Sequence, residues 1–174
     1  MTPKVFLCEP SGLSSAQRLM SDRWHERLFD LGFDVHQLRR DAYQREPWSG
    51  LLRHLDAADG VLVLGFRQLI VASGTWRRGT EQETEVSATW TSSWLHLETG
   101  MALARGIPVL VAPESEVREG VFAPDTWTGA LRGTTAEAPD RGVVDEWAGA
   151  VATRSLSKVV SMSMDSIPGA RSSA

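Results

Sequence analysis

The chain has 174 residues and a mass of 19.1 kDa, with 42% hydrophobic residues, a formal net charge of −4 and a single cysteine, Cys8. These values indicate one globular domain over residues 1–165 with a sizeable core, and a polar tail, 166–174, expected to be flexible. One cysteine excludes an internal disulfide, and two lysines in an acidic chain leave no basic stripe for bulk nucleic-acid binding. The absence of a signal peptide or of an apolar run of about 18 residues makes a cytoplasmic protein with no membrane partner the expectation.

Val5 to Cys8 is a short apolar run that reads as the first strand, and Glu9-Pro10-Ser11-Gly12 behind it can only be a loop. Leu13 to Leu31 carries Leu19, Met20, Trp24, Leu28 and Leu31 at helical spacing and stops at Gly32. Phe33 to Leu38 follows as the second strand. Trp48 to Ala58 is a short helix with Leu51, Leu52 and Leu55 on one side, and Asp59-Gly60 turns the chain into the central strand, Val61 to Phe66. Between Arg67 and Thr91 the apolar pattern breaks, which predicts a long loop or lid over 67–91 at the ligand-facing end of the sheet. Ser92 and Ser93 are good N-cap residues for the next helix. In it Leu97, Met101 and Ala104 form the expected packing stripe, with Trp94, Glu98 and Met101 or Ala102 in the row beside it, so Glu98 is placed at the border of the buried face. That helix ends at Arg105-Gly106, and Ile107 to Ala112 reads as a fully buried strand. A second irregular stretch follows Glu114, then a helix from about Val143 to Val160 built on Val144, Trp147, Val151 and Leu156. The alternation of strand and helix implies an α/β fold, a three-layer sandwich around a mostly parallel sheet of about five strands.

Glu98 is the leading candidate for chemistry. It lies early in its helix, where the positive end of the helix dipole favours a negative charge, and a carboxylate so placed can stabilise a cation or attack one. Glu9, in the loop after strand one, is the best second acid for protonating a leaving group or activating water. Backbone amides near Ser11 and Gly12 are candidates for holding a phosphate or sugar hydroxyl, although no P-loop or GxGxxG is present. Cys8 is grouped with the ligand end of the sheet, but a lone cysteine closing an apolar strand reads as a small buried hydrophobe rather than a nucleophile. Phe66 and Arg67 follow the central strand and share that end. Arg67, Arg77 and Arg78 are candidates to clamp a phosphate when the lid closes; a solvated charged loop is the plainer reading. Ser92, Ser93 and Trp94 open the helix of Glu98, where Trp94 either stacks on a base or serves as core. His96 and Glu98 have the spacing of an H-x-E zinc motif, but the accompanying cysteines are missing and the two side chains diverge by about 200° on a helix, so no metal site is expected. Seven tryptophans against one tyrosine put Trp76, Trp90 and Trp127 in irregular segments, as pocket walls, subunit contacts or loop anchors.

The spacing Ser92-x-Trp94-x-x-x-Glu98 resembles the S-x-W-C-x-x-E helix of TIR domains, with Leu95 at the position of their cysteine. Glu98-Thr99-Gly100-Met101-Ala102 followed by Gly106-Ile107-Pro108-Val109 resembles the E-x-G-x-A…G-K-P-V stretch of nucleoside 2-deoxyribosyltransferases and the related nucleoside 5′-monophosphate N-glycosidases. The resemblance implies a flavodoxin-like sheet and a helix-borne glutamate that cleaves an N-glycosidic bond in a nucleoside, nucleotide or NAD, with no cofactor, and by analogy a homo-oligomer. Ser92 stands where deoxyribosyltransferases usually carry a sugar-binding aspartate, and Gly65, Phe66 and Arg67 where they often carry another acid. Asp59 is no substitute, since it precedes the central strand and belongs to the opposite end of the sheet. The alternatives are a deoxyribosyltransferase proper and a non-catalytic nucleotide-binding or TIR-type interaction module.

Overall fold

The computed structural model describes residues 2–38 and 47–165. The tail over 166–174, expected to be flexible, lies outside the described residues. In chain order the elements are β1 (Lys4–Cys8), α1 (Ser15–Asp30), β2 (Asp34–Gln37), α2 (Pro47–Ala57), β3 (Gly60–Gly65), β4 (Leu69–Trp76), β5 (Thr84–Trp90), α3 (Ser93–Ala104), β6 (Val109–Pro113), β7 (Leu131–Gly133) and α4 (Arg141–Asp165), with two short 3-10 turns between β6 and β7. Five strands form one wholly parallel sheet in the order β2-β1-β3-β6-β7. The predicted α/β three-layer sandwich is thus the fold. Chain order reverses between β1 and β3, the switch point at which open α/β sheets leave a crevice beyond the carboxyl ends of their strands.

Successive strand residues point to opposite faces, and both faces are apolar. Phe6, Cys8, Val61, Val63, Val109 and Val111 pack with Leu51 and Leu55 of α2 and Leu95 and Ala102 of α3. Val5, Leu7, Leu62, Leu64, Leu110 and Ala112 pack with Trp24 and Leu28 of α1 and Val144, Trp147 and Val151 of α4. The buried tryptophans satisfy their indole N–H groups at no loss of packing: Trp24 donates to the Ala136 carbonyl and Trp147 to that of Pro108, both at 3.2 Å.

The helix ends follow the sequence signals. Ser14 caps α1 in a capping box with Gln17, at 3.2 Å and 3.0 Å for the two bonds. Helix α3 closes in a Schellman motif: Gly106, at φ +62°, donates to Leu103, and the Ile107 amide reaches back to Ala102 at 3.1 Å. Gly32, at φ +77°, ends α1 in the same way.

Three expectations are corrected. The segment 67–91 is not irregular: it is a β4–β5 antiparallel hairpin, with Leu69 opposite Trp90, Val71 opposite Ala88, a register shift, then Gly74 opposite Val86 and Trp76 opposite Thr84. Six apolar residues therefore share one face, Leu69, Val71, Trp76, Val86, Ala88 and Trp90, with Ile70 on the other; strand-by-strand reading misses this because the shift between Val71 and Gly74 breaks the alternation. Second, the packing stripe of α3 is Leu95, Glu98, Thr99 and Ala102, not Leu97, Met101 and Ala104; Leu97 is 39% exposed. Third, Leu156 of α4 faces solvent, and Ser155 takes the buried position expected of it. The irregular stretch after Glu114 also contains β7, three residues that extend the sheet beside β6.

Candidate active site

A cavity of about 600 Å³ opens at the carboxyl end of β1, walled by the β1–α1 loop, the end of β2 and the first half of α3. Its size lies within the range of small-molecule sites. Glu98 forms part of this wall and is only 5% exposed. It reaches the cavity because it lies in the buried row of α3 with Leu95 and Ala102, on the sheet face that also carries Cys8. The Cys8 thiol is hydrogen-bonded to Glu98; burial first, and the adjacent carboxylate second, hold its pKa well above the ordinary thiol value. Cys8 therefore stays a neutral thiol that lines the cavity, and its burial agrees with the sequence reading.

Glu9 stands in the same cavity wall with both carboxylate oxygens engaged: Ser21 Oγ donates to one at 2.7 Å and Gln37 Nε2 to the other at 3.1 Å. α1 supplies the first partner and the end of β2 the second, so Glu9 is oriented by two elements of the scaffold although it sits in a loop. Ser11 and Ser92 also line the cavity. Ser92 is the N-cap of α3, its hydroxyl accepting from the Trp94 amide at 3.4 Å. Trp94 lines the cavity and meets Trp48 of α2 with ring centroids 5.5 Å apart, so one edge of the site is aromatic.

The remaining sequence candidates fall elsewhere. Phe66 is fully buried in the core on the α1 and α4 side, and its carbonyl accepts from Thr91 Oγ1 at 2.7 Å; it is a packing residue, outside the cavity lining. Arg67 is held by Glu114 and Glu116, its Nη1 2.8 Å from the latter, in an ion-pair group that fastens the base of the hairpin. Arg77 and Arg78 are exposed at the far end of the hairpin and do not line the cavity. Gly12 lies just outside the lining, its carbonyl accepting from Gln68 Nε2 at 3.4 Å, and Ser93 is exposed. Asp59 sits at the opposite end of the sheet, as expected, where it accepts from the Lys4 amide and pairs with Lys158. His96, on α3 but outside this cavity, stacks edge-on against Phe122 at 5.1 Å, and burial lowers its pKa.

Sequence reasoning missed Arg18 and Gln37, which both line the cavity. Gln37 had a signal, as the last residue of a strand at the ligand end of the sheet. Arg18 had none, since only the packing of α1 beside the β1–α1 loop brings it to the cavity. Among the described residues Arg18 forms no ion pair, and no three His, Cys, Asp or Glu side chains converge as metal ligands. No described helix is long and apolar enough to cross a membrane.

No protein-family model matches the chain, and no curated protein matches it. Among solved structures the chain is similar to a 2-deoxyribosyltransferase from the psychrotolerant bacterium Bacillus psychrosaccharolyticus, with 16% identity, 71% of this chain and 81% of that chain covered, and a TM-score of 0.44. It is also similar to a conserved protein from Enterococcus faecalis V583, with 13% identity, 88% and 99% covered, and a TM-score of 0.48.

Proposed function

We propose that the protein cleaves the N-glycosidic bond of a nucleoside, a nucleotide or NAD, with Glu98 acting at the anomeric carbon. The observation that carries this reading is a buried carboxylate in the wall of a cavity large enough for a nucleoside, a wall that also holds a second carboxylate fixed by two hydrogen bonds. Cleavage of such a bond passes through an oxocarbenium-like state, which a carboxylate stabilises by its charge or captures as a glycosyl ester. In the capture route a Glu98 oxygen bonds to the anomeric carbon as the bond to the base breaks, and the electron pair leaves with the base. Water then attacks the same carbon, Glu9 takes its proton, and Glu98 is released as the carboxylate; the proton passes from Glu9 to the base anion of a nucleoside or nucleotide, or to solvent where the base leaves neutral as nicotinamide does. Glu9 suits that second step because its oxygens already serve as acceptors. The cysteine has no role as nucleophile, since its thiolate is disfavoured by burial and by Glu98 itself.

Trp94, backed by its ring contact with Trp48, supplies the apolar side on which a base would stack, and Ser11, Ser92 and Gln37 supply hydroxyl and amide groups for the sugar. The β4–β5 hairpin joins β3 to α3, and Gln68 at its base touches the β1–α1 loop through Gly12; these links support its role as a lid.

The test is direct. The purified chain is incubated with NAD and with a panel of nucleosides and 5′-monophosphates, and released base is measured by chromatography. Release that disappears in Glu98→Gln is expected. No release from any member of the panel, or release unchanged in that variant, overturns the proposal. Adding free bases separates a hydrolase from a transferase, since only a transferase exchanges them into the glycoside.

A further inference from the structure

We propose that a second, cationic cleft beneath the α2 side of β1 and β2 binds a small oxyanion, a phosphate or a carboxylate group. This cleft, of about 280 Å³, is lined by Lys4, Phe6, His36, Arg53, His54 and Ala57 with Ala58. Strand pairing brings these side chains together. Lys4 and Phe6 are two apart on β1 and so face the same way, and His36 of β2 is the register partner of Phe6. Helix α2 crosses that face and contributes the adjacent pair Arg53 and His54, the latter stacked on the Phe6 ring at 5.4 Å with the rings 15° from parallel.

Four basic side chains therefore converge on one small space. Among the described residues, the acids near them already have partners. Of the acids nearby, Asp34 is taken up by His36 at 3.1 Å, Asp56 by Arg105 at 3.1 Å, and Asp59 by Lys158 at 3.1 Å and the Lys4 amide. Neither the Lys4 ammonium nor the Arg53 guanidinium forms an ion pair among the described residues. The cost of crowding like charges is visible at His54, whose protonated form is disfavoured by burial first and then by His36 and Arg53. An anion in the cleft removes that repulsion, and Arg53 with Lys4 supplies the charge-assisted donors to hold it.

Volume fixes the class of ligand. A space of 280 Å³ is worth about nine water molecules at roughly 30 Å³ each and falls below the range in which nucleoside-sized ligands bind. An oxyanion with its residual hydration fits this space. The site is separate from the cavity of Glu98, and Phe6 is the wall they share.

The experiment needs no catalytic activity. The chain has four histidines, so the imidazole resonances of His25, His36, His54 and His96 can be followed individually by NMR while inorganic phosphate, or acetate, is titrated into the full chain at constant ionic strength and pH. Saturable shifts at His36 and His54 are expected, with His96 unmoved and the apparent affinity weakened about tenfold in Arg53→Gln. Lys4→Gln provides a second, independent variant with the same expected direction. Saturation by phosphate alone identifies a phosphate site, and saturation by both anions a general oxyanion site. Shifts that fail to saturate, that appear equally at His96, or that persist unchanged in both variants overturn the proposal.

Discussion

Two buried glutamates sit at the carboxyl edge of the same sheet, Glu98 at 5% and Glu114 at 7% exposure, and their neighbourhoods differ in kind. Glu114, just past β6, is held by structural donors. One oxygen accepts from Gln17 Nε2 at 2.9 Å and from the Arg67 amide at 2.6 Å, and the Arg67 Nε stands 3.8 Å away. Those bonds tie α1, the start of the hairpin and β6 into one joint. Glu98 borders a cavity instead, beside a neutral thiol, and shares its wall with Glu9. Burial alone therefore does not tell the two apart; what distinguishes them is that Glu98 borders open space and Glu114 lies in a joint between elements, and the proposed function assigns chemistry only to the first.

This contrast breaks most visibly at Glu98. Glu98→Gln is expected to lower base release by about a thousandfold or more while leaving the urea midpoint nearly unchanged, because the amide keeps the volume but loses the charge that meets the oxocarbenium-like state. Glu114→Gln should do the reverse. It puts an amide against the Gln17 and Arg67 donors and costs about 3 kcal/mol of stability, read from the denaturation midpoint, while the folded fraction keeps its turnover. If both variants lose stability and activity together, the two sites are one coupled unit and the contrast fails.

Glu9→Gln sharpens the comparison from the other side of the cavity. A loss of about tenfold to a hundredfold in turnover with binding retained is expected for a residue that takes a proton from water, and the amide can still accept from Ser21 and donate within the loop. The smallest effect belongs to Asp59. Burial pushes its pKa up, but the Lys4 amide, Lys158 and Ser155 outweigh that, and the folded value lies below the ordinary 3.8. A depressed carboxylate adds stability above its unfolded pKa and loses it as pH falls through the folded value. Asp59→Asn should therefore cost about 1 kcal/mol at pH 7 and nothing once the pH is below both values, as paired denaturation curves would show.

Much of the fold was legible because its signals are local. The apolar runs of β1, β3 and β6, the glycines at 32 and 106 and the Ser14 and Ser92 caps are decided within a few residues of chain. The α3 stripe was misjudged because apolar identity was followed, whereas the face turned to the sheet carries Glu98 and Thr99, polar residues made tolerable by the cavity and by the bond from the Thr99 hydroxyl to the Leu95 carbonyl at 2.6 Å. The hairpin and β7 escaped notice for another reason: one depends on a register shift and the other on three residues beside β6. At the site, Cys8, Glu9, Ser11, Ser92, Trp94 and Glu98 could be gathered from strand ends and a helix start. Gln37 could have joined them as the last residue of β2, whereas Arg18 enters through tertiary geometry, and the arginines of the hairpin stand out by charge although the fold carries two of them to its exposed tip.

The bond from the Gln68 amide to the Trp90 carbonyl, at 2.8 Å, closes the hairpin where it leaves the domain. Entry and exit of the segment are thus fixed side by side, and everything from Leu69 to Thr89 is hung on that clasp. The domain has in effect an insertion port beside its cavity: the segment can grow, shrink or be exchanged for another without altering the span that connects β3 to α3, and so without moving Glu98. The length and make-up of the hairpin and the position of the Glu98 carboxylate are thereby free to change independently.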